Sequence, residues 1–125
     1  MDLVPKIPAG RQLIDGYGDG GFRVSGHFHL GSVLIFPERT IEIKISTWSE
    51  IDAGSFAAVL AGQPRVELLL MGAGRKAAAL DPDLRSHLRA HGVRVETLDT
   101  GAACRTYNVL LSEDRRIAAF LIAVD

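Results

Sequence analysis

The feature of the sequence that most constrains the fold is a series of three short strand-like segments in its second half. The segments cover residues 65–71, 93–98 and 117–124, and each lies between turn signals. The first is a continuous apolar run, which is typical of a strand that is buried on both faces of a sheet. The stretches between them are long enough for helices, and strands that alternate with helices indicate a sheet covered on both faces. The second half therefore predicts the order β-α-β-α-β.

The two helices of that pattern carry terminal signals. Asp81 followed by Pro82 is typical of a helix start, and Gly92 is typical of a helix end. Thr100 is predicted to cap the next helix, because a threonine oxygen can accept a hydrogen bond from the first free amide groups. The apolar face of that helix consists of Ala103, Tyr107, Leu110 and Leu111.

The first half has the pattern of strands and turns. Gly26 interrupts an extended stretch, as at a β-bulge. Residues 40–45 alternate apolar and polar side chains with a period of two, which indicates a strand with one buried face. The turn at Pro37 joins this strand to the apolar run 32–36, so the two are predicted to form a hairpin.

A further helix is predicted between the two halves. Thr47 and Glu50 have the spacing of a capping box, in which each side chain bonds to the backbone of the other residue. The helix is expected to continue to Gly62, with an apolar stripe made of Ile51, Phe56, Val59 and Leu60.

Length and charge restrict the class of protein. We expect the 125 residues to form a single domain, residues 1–125, with residues 1–12 as an extended N-terminal segment. The formal net charge of −1 gives no electrostatic footprint for nucleic acid. The sequence predicts no membrane span, because its apolar runs are too short. Residues 1–8 have neither a secretory signal nor a mitochondrial presequence pattern, so a cytoplasmic, bacterial-type protein is expected.

Three parts of the sequence together resemble a known family. They are residues 21–26 with 31–34, residues 70–74, and residues 100–110 followed by Arg116. The most specific stretch is Ala-Cys-Arg-Thr-Tyr-Asn at 103–108. In this order they resemble the uncharacterised domain family shared by mitochondrial complex I assembly factor three, the adipogenesis-associated domain protein and many small bacterial and archaeal proteins. This chain looks like a prokaryotic member.

The resemblance implies a three-layer α/β fold, with a mixed central sheet of about five strands and helices on both faces. It implies no agreed enzymatic reaction. For the mitochondrial branch it implies assembly of respiratory complex I through protein–protein contacts.

Two turns are candidates for a ligand-binding crevice, because turns after neighbouring strands of an α/β sheet lie where ligands bind. The candidates are Gly72, Gly74 and Arg75 in the first turn, and Thr100, Gly101, Ala102 and Arg105 in the second. Free amide groups at the helix start favour an anion. The alternative is that the glycines form tight turns and Thr100 only caps its helix, and the sequence favours this alternative. The pattern lacks the third glycine of a dinucleotide site and the Gly-Lys-Ser/Thr of a phosphate-binding loop.

Cysteine and histidine residues offer weaker candidates. Cys104 is the single cysteine, so no internal disulfide is possible. Near the start of a helix its thiol pKa could be lowered, but it also shares a helix face with apolar residues and is then a small core residue. His27 and His29 would point to one face of a strand, yet the nearby sequence offers no further metal ligand. The sequence predicts no catalytic residue, no metal site and no cofactor.

Two hypotheses about function follow. The first is a non-enzymatic assembly or interaction factor with protein partners, by analogy those of a respiratory complex. The alternative is a small-anion binding protein or enzyme that uses the two turns. The sequence leaves the oligomeric state open.

Overall fold

Eight strands and three helices lie in the described part of the computed structural model, residues 10–62 and 65–125. The strands are β1 (Ile14–Gly18), β2 (Gly21–Val24), β3 (His27–Leu30), β4 (Ser32–Phe36), β5 (Arg39–Ile43), β6 (Leu68–Gly72), β7 (Arg94–Leu98) and β8 (Ile117–Leu121). The helices are α1 (Ala57–Leu60), α2 (Pro82–Ala90) and α3 (Thr100–Leu111). Most of the predicted N-terminal segment, residues 1–12, lies outside the described residues. No helix in the described ranges is both long and apolar enough to cross a membrane.

The predicted fold class is confirmed. Five strands form a mixed sheet in the order β5-β4-β8-β6-β7, and β1, β2 and β3 form a separate antiparallel sheet. Strand β4 is antiparallel to both β5 and β8, whereas β6 is parallel to both β7 and β8. The small sheet and α3 pack on one face of the large sheet, and α1 and α2 pack on the other.

Strand β8 lies at the centre of the large sheet, and all five of its side chains are buried. Ile117, Ala119 and Leu121 belong to the core on the α3 side, while Ala118 and Phe120 belong to the core on the α1 and α2 side. A strand with this placement must be apolar on both faces, since water reaches neither of them. That requirement explains the apolar run at the end of the sequence.

The side chain of Asn108 in α3 holds the small sheet through hydrogen bonds to both backbone groups of one residue in β1. The amide nitrogen of Asn108 donates to the carbonyl oxygen of Ile14 at 2.8 Å, and its oxygen accepts from the Ile14 amide at 3.0 Å. Phe22 and Val24 pack beside Ile14 in the same core. The asparagine thus satisfies both backbone groups of a residue in β1, which has no strand partner on that side among the described residues.

The interpretation of Gly26 as a bulge is wrong, because Gly26 belongs to the turn of a hairpin. Val24 pairs directly with His27, so Ser25 and Gly26 form a two-residue turn between β2 and β3. Both have positive φ angles, 47° and 84°, as a type I′ turn requires. The Ser25 hydroxyl donates to the carbonyl of Arg11 at 3.0 Å and so helps hold this residue in place.

The prediction of a single helix from Thr47 to Gly62 is also wrong. The reciprocal contact is present, since a Glu50 carboxylate oxygen accepts from the Thr47 amide at 2.9 Å. The turn that follows, however, is a single 3-10 turn over Trp48–Glu50. Asp52 then caps a second turn over Ala53–Phe56 by accepting from the amide of Ser55, and α1 follows. Asp52 forms this local bond in an extended conformation, which interrupts a continuous helix.

Replacement of Phe120 tests the central position of β8. The side chain of Phe120 is fully buried, so Phe120→Ala should lower the free energy of unfolding by about 3–5 kcal/mol. Leu30→Ala is the matched control, because 72% of Leu30 is exposed and the cost should stay at about 0.5 kcal/mol. Chemical denaturation of both variants measures the difference. Equal losses would contradict the assigned core.

Candidate functional site

The two turns predicted to lie side by side are in contact. The Gly74 amide donates to the Thr100 hydroxyl oxygen at 3.0 Å, and the Thr100 amide donates to the Gly74 carbonyl at 2.8 Å. The Thr100 hydroxyl in turn donates to the Ile122 carbonyl at 2.8 Å. Thr100 therefore links the ends of β6, β8 and the start of α3 through backbone groups of all three.

Protein atoms fill the space where Gly72 meets Thr100. Thr100 is fully buried, and a Cβ atom at Gly72 would lie 2.8 Å from the Thr100 Cα atom. A side chain at position 72 would therefore push the two turns apart. The glycine allows the close approach of backbone to backbone, which is a packing role.

The start of α3 has most of its amide groups paired. Asp99, and not Thr100, is the N-cap, so that prediction is wrong: the Asp99 carboxylate accepts from the Ala102 amide at 2.8 Å. Its carbonyl accepts from Ala103. Gly101 faces Tyr17, whose hydroxyl lies 2.4 Å from the place that a Cβ atom would take. A carboxylate at the N-cap already supplies the negative charge that the helix start favours.

The two candidate arginines lie at the surface. The Arg105 guanidinium is 3.5 Å from the Tyr17 hydroxyl, and the Arg75 guanidinium is 3.9 Å from a carboxylate oxygen of Asp125. The structure thus brings Gly72, Gly74 and Thr100 together. The guanidinium of Arg105 stays beside Gly101, 3.3 Å from the place that a Cβ atom would take, whereas Arg75 is directed to Asp125. Anion binding at this place stays a prediction from the sequence.

Cys104 is a core residue. It is 3% exposed and packs in the same cluster as Ala103 and Tyr107. Burial raises the pKa of the Cys104 thiol to about 12, and the nearby charge of Arg105 only partly offsets this effect. Of the two alternatives that the sequence left open for Cys104, the structure favours the small core residue, because loss of hydration raises the pKa of its thiol.

The two histidines of β3 lie on the face that carries the core. His27 pairs with Val24 and His29 pairs with Phe22, and both of these partners are buried. The Nδ1 atom of His29 lies 2.9 Å from a carboxylate oxygen of Glu42 in β5. No group of three or more metal-binding side chains is placed for a metal ion within residues 10–62 and 65–125.

A cavity lies at the opposite end of the large sheet, where β4 ends and β8 begins. Its volume is about 780 Å³, within the range of small-molecule sites. We call it the arginine cavity, and it is lined by Arg11, Phe36, Pro37, Glu38, Arg39, Ala61, Gly62, Val66, Asp114, Arg115, Arg116 and Ile117. The sequence signal for it is the pair of arginines, Arg115 and Arg116, directly before the last strand.

Ion pairs connect the turns around this cavity. Arg11 donates to Asp114 at 2.6 Å and to Glu38 at 3.3 Å. Arg116 pairs with Glu67. These contacts hold the segment before β1 against the turns that precede β5 and β8.

A mixed five-stranded sheet with helices on both faces and a small antiparallel sheet beside α3 defines a three-layer α/β protein. The chain belongs to the family described as protein of unknown function (DUF498/DUF598), which matches residues 14–122. The resemblance to the family of complex I assembly factor three is thereby confirmed, because relatives with that name match the chain as well.

Three comparisons illustrate the relationship. An uncharacterized protein of Rhodobacter capsulatus is 43% identical over 122 residues, which cover 96% of this chain and 93% of that protein. NADH dehydrogenase [ubiquinone] 1 alpha subcomplex assembly factor 3 of Xenopus tropicalis is 34% identical over 110 residues. That match covers 88% of this chain but only 60% of the Xenopus protein. The crystal structure of a protein described as an outer membrane protein from Bartonella henselae is 38% identical, with a TM-score of 0.86, and the match covers 96% of this chain and 100% of that chain.

Replacement of the Thr100 hydroxyl tests its structural role. Thr100→Val keeps the shape but leaves the Gly74 amide and the Ile122 carbonyl without their partner, so we expect a loss of about 2 kcal/mol or more in the free energy of unfolding. Thr100→Ser retains the hydroxyl and should retain most of the stability. Thermal and chemical denaturation compare the two. A valine variant as stable as the serine variant would contradict the role.

Burial of the Cys104 thiol leads to a second prediction. Iodoacetamide should label Cys104 in the folded protein at pH 8 far more slowly than in the guanidinium-unfolded protein, because the folded thiol stays protonated. The folded thiol also keeps its proton to a higher pH than the unfolded thiol. This difference should therefore lower the free energy of unfolding as the pH rises from about 9 to about 12. Rapid stoichiometric labelling of the folded protein would contradict burial of the thiol.

Proposed function

We propose that this chain is a protein-binding assembly factor for a respiratory complex. The observation that carries the proposal is the 34% identity with a protein named as an assembly factor of NADH dehydrogenase, over 88% of this chain. The Xenopus protein is longer than this chain, so the proposal covers only contacts made by the part that the two proteins share. The proposal includes a cytoplasmic location, which is the location expected from the sequence.

A solvent-exposed apolar surface on the small sheet supports this proposal. Phe28 is 47% exposed and Leu30 is 72% exposed, and the two alternate along β3 on the face opposite to Phe22 and Val24. Tyr17, which is 45% exposed, borders a shallow depression together with Phe28. Large apolar side chains that are exposed together mark interaction surfaces more often than single ones do. Tyr17 itself pairs with Phe22 and reaches Gly101 of α3, so it lies on the other face of the small sheet. We call Phe28 and Leu30 the β3 surface.

Glycines form the floor beneath these side chains. A Cβ atom at Gly21 would lie 2.6 Å from the ring of Phe28, so the ring rests directly on the backbone of β2. The Leu30 side chain lies 3.8 Å from the corresponding point at Gly20. The floor holds the apolar groups in a flat arrangement, which suits contact with another protein more than enclosure of a small molecule.

The edge of β3 adds a second means of contact. Within the described residues β3 pairs with β2 on one side only. A strand edge offers backbone donors and acceptors to an added strand. A partner that pairs along β3 could therefore also cover Phe28 and Leu30.

A complementation experiment tests the proposal. Deletion of the gene in its native cell should lower the amount of assembled NADH:ubiquinone oxidoreductase, measured by native gel electrophoresis and by membrane NADH oxidation. The unchanged chain should restore both. A Phe28→Ser/Leu30→Ser variant should fold but fail to restore them, because it loses the apolar groups that a partner would cover.

The matched control is Val109→Ser, which removes an exposed apolar side chain from α3, away from the β3 surface. It should restore the complex as well as the unchanged chain does. A normal amount of the complex in the deletion strain would overturn the assembly role. Equal complementation by both variants would overturn the β3 surface as the site of contact.

A further inference from the structure

The arginine cavity carries more positive than negative charge. Four arginines line it, against the two carboxylates Glu38 and Asp114. The whole chain has a formal charge of −1, so the cavity departs from the near-neutral surface of the rest of the molecule. A concave site with an excess of one charge attracts ligands of the opposite charge.

Two of these arginines have no close carboxylate partner among the described residues. Both carboxylates of the cavity bind Arg11, and Arg116 pairs with Glu67. The guanidinium of Arg39 instead lies over the ring of Phe36, 4.7 Å from its centre. That of Arg115 is 3.9 Å from Glu113, which is a loose and exposed contact. Guanidinium groups in this state can bind a carboxylate or phosphate through paired hydrogen bonds.

The rest of the cavity wall is largely apolar. Phe36, Val66 and Ile117 form its floor, where each exposes at most 5% of its surface, and the exposed side chain of Ala61 adds a further apolar group. Such a wall favours an apolar group that leaves water, and a free inorganic ion cannot use it. The ligand that matches both parts of the wall has an anionic head and an apolar body.

A buried hydroxyl group lies on the same side of the core. The Tyr107 hydroxyl is buried without a hydrogen-bond partner in the described structure, and Tyr107 shares a core cluster with Ile117. Tyr107 lies in the second half of α3, which leads into the turn before β8, so it is at the cavity end of the helix although it does not line the cavity itself. Buried polar groups without partners are rare and mark places where a further group can bind.

We infer that the arginine cavity binds a small organic anion, a carboxylate or phosphate ester attached to an apolar group, with Arg39 and Arg115 as its charged contacts. This site is separate from the β3 surface, so it goes beyond the proposed assembly role. The inference also differs from anion binding at the turns of Gly74 and Thr100, which lie at the other end of the sheet.

Nuclear magnetic resonance titration of the folded chain tests the inference. The probes are 4-phenylbutyrate and phenyl phosphate, with uncharged 4-phenylbutanamide and inorganic phosphate as controls. At least one organic anion should cause saturable shifts at the amides of Phe36, Val66 and Ile117 at concentrations of about 1–10 mM. Both controls should bind at least about tenfold more weakly, because each lacks one of the two matching parts.

Variants identify the charged contacts. The double variant Arg39→Gln/Arg115→Gln should weaken binding of the organic anion by about tenfold or more. Arg89→Gln changes an exposed arginine of α2 that does not line the cavity, and it should leave binding unchanged. The spectra without ligand show whether each variant is folded.

Several results would overturn the inference. They are equal binding of the amide and the butyrate, shifts from inorganic phosphate as large as those from the organic anions, no saturable shift from any probe, and unchanged affinity in a folded double variant. Loss of the assembly role in the complementation experiment would leave this titration unaffected, so the two ideas fail separately.

Discussion

The rest of the fold depends on burial of β8 on both faces. This strand pairs with the antiparallel half of the large sheet through β4 and with the parallel half through β6. Its five side chains divide between the two cores, so each face of the sheet obtains part of its packing from one strand. A polar side chain in β8 would lose water without gaining a partner, and this requirement keeps the strand apolar.

The two ends of this sheet differ in how closely they are packed. At the carboxyl end of β6, Gly72 and Thr100 bring two turns into backbone contact, and little space remains. At the other end, charged side chains surround a cavity of about 780 Å³. Charged groups stay hydrated at the rim and pair with one another, so they do not close a cavity as apolar side chains would. The cavity therefore lies at the end of the sheet opposite to the two glycine-containing turns that the sequence suggested for a ligand.

The small sheet presents an exposed apolar surface that takes no part in the packing of the central core. Asn108 fixes β1 to α3, and Phe22 and Val24 anchor the inner face. The outer face is left with Phe28 and Leu30 on a floor of glycines. Exposed apolar groups reduce solubility, so their position on a well-anchored sheet supports contact with a partner. Related proteins named as assembly factors are longer than this chain, and the shared part contains this surface.

The sequence by itself determined the class of fold and the family. The three strand-like segments, Asp81 with Pro82, and Gly92 are local signals. Each segment forms a strand, and the other two signals mark the start and the end of α2. Local signals failed where two residues compete for one role. Asp99 displaced Thr100 as the cap of α3, and Asp52 divided the helix expected after Thr47.

Only the tertiary structure decided the environment of each side chain. Burial decided between the two alternatives for Cys104 by raising its thiol pKa, and the hydroxyl of Thr100 bonds to a residue 22 positions further along the chain. The arginine cavity likewise joins residues near 11, 38 and 115, which have no common motif. The physical reason is that periodicity and caps act within a few residues, whereas hydration, charge pairing and cavities depend on groups that meet only when distant segments pack together.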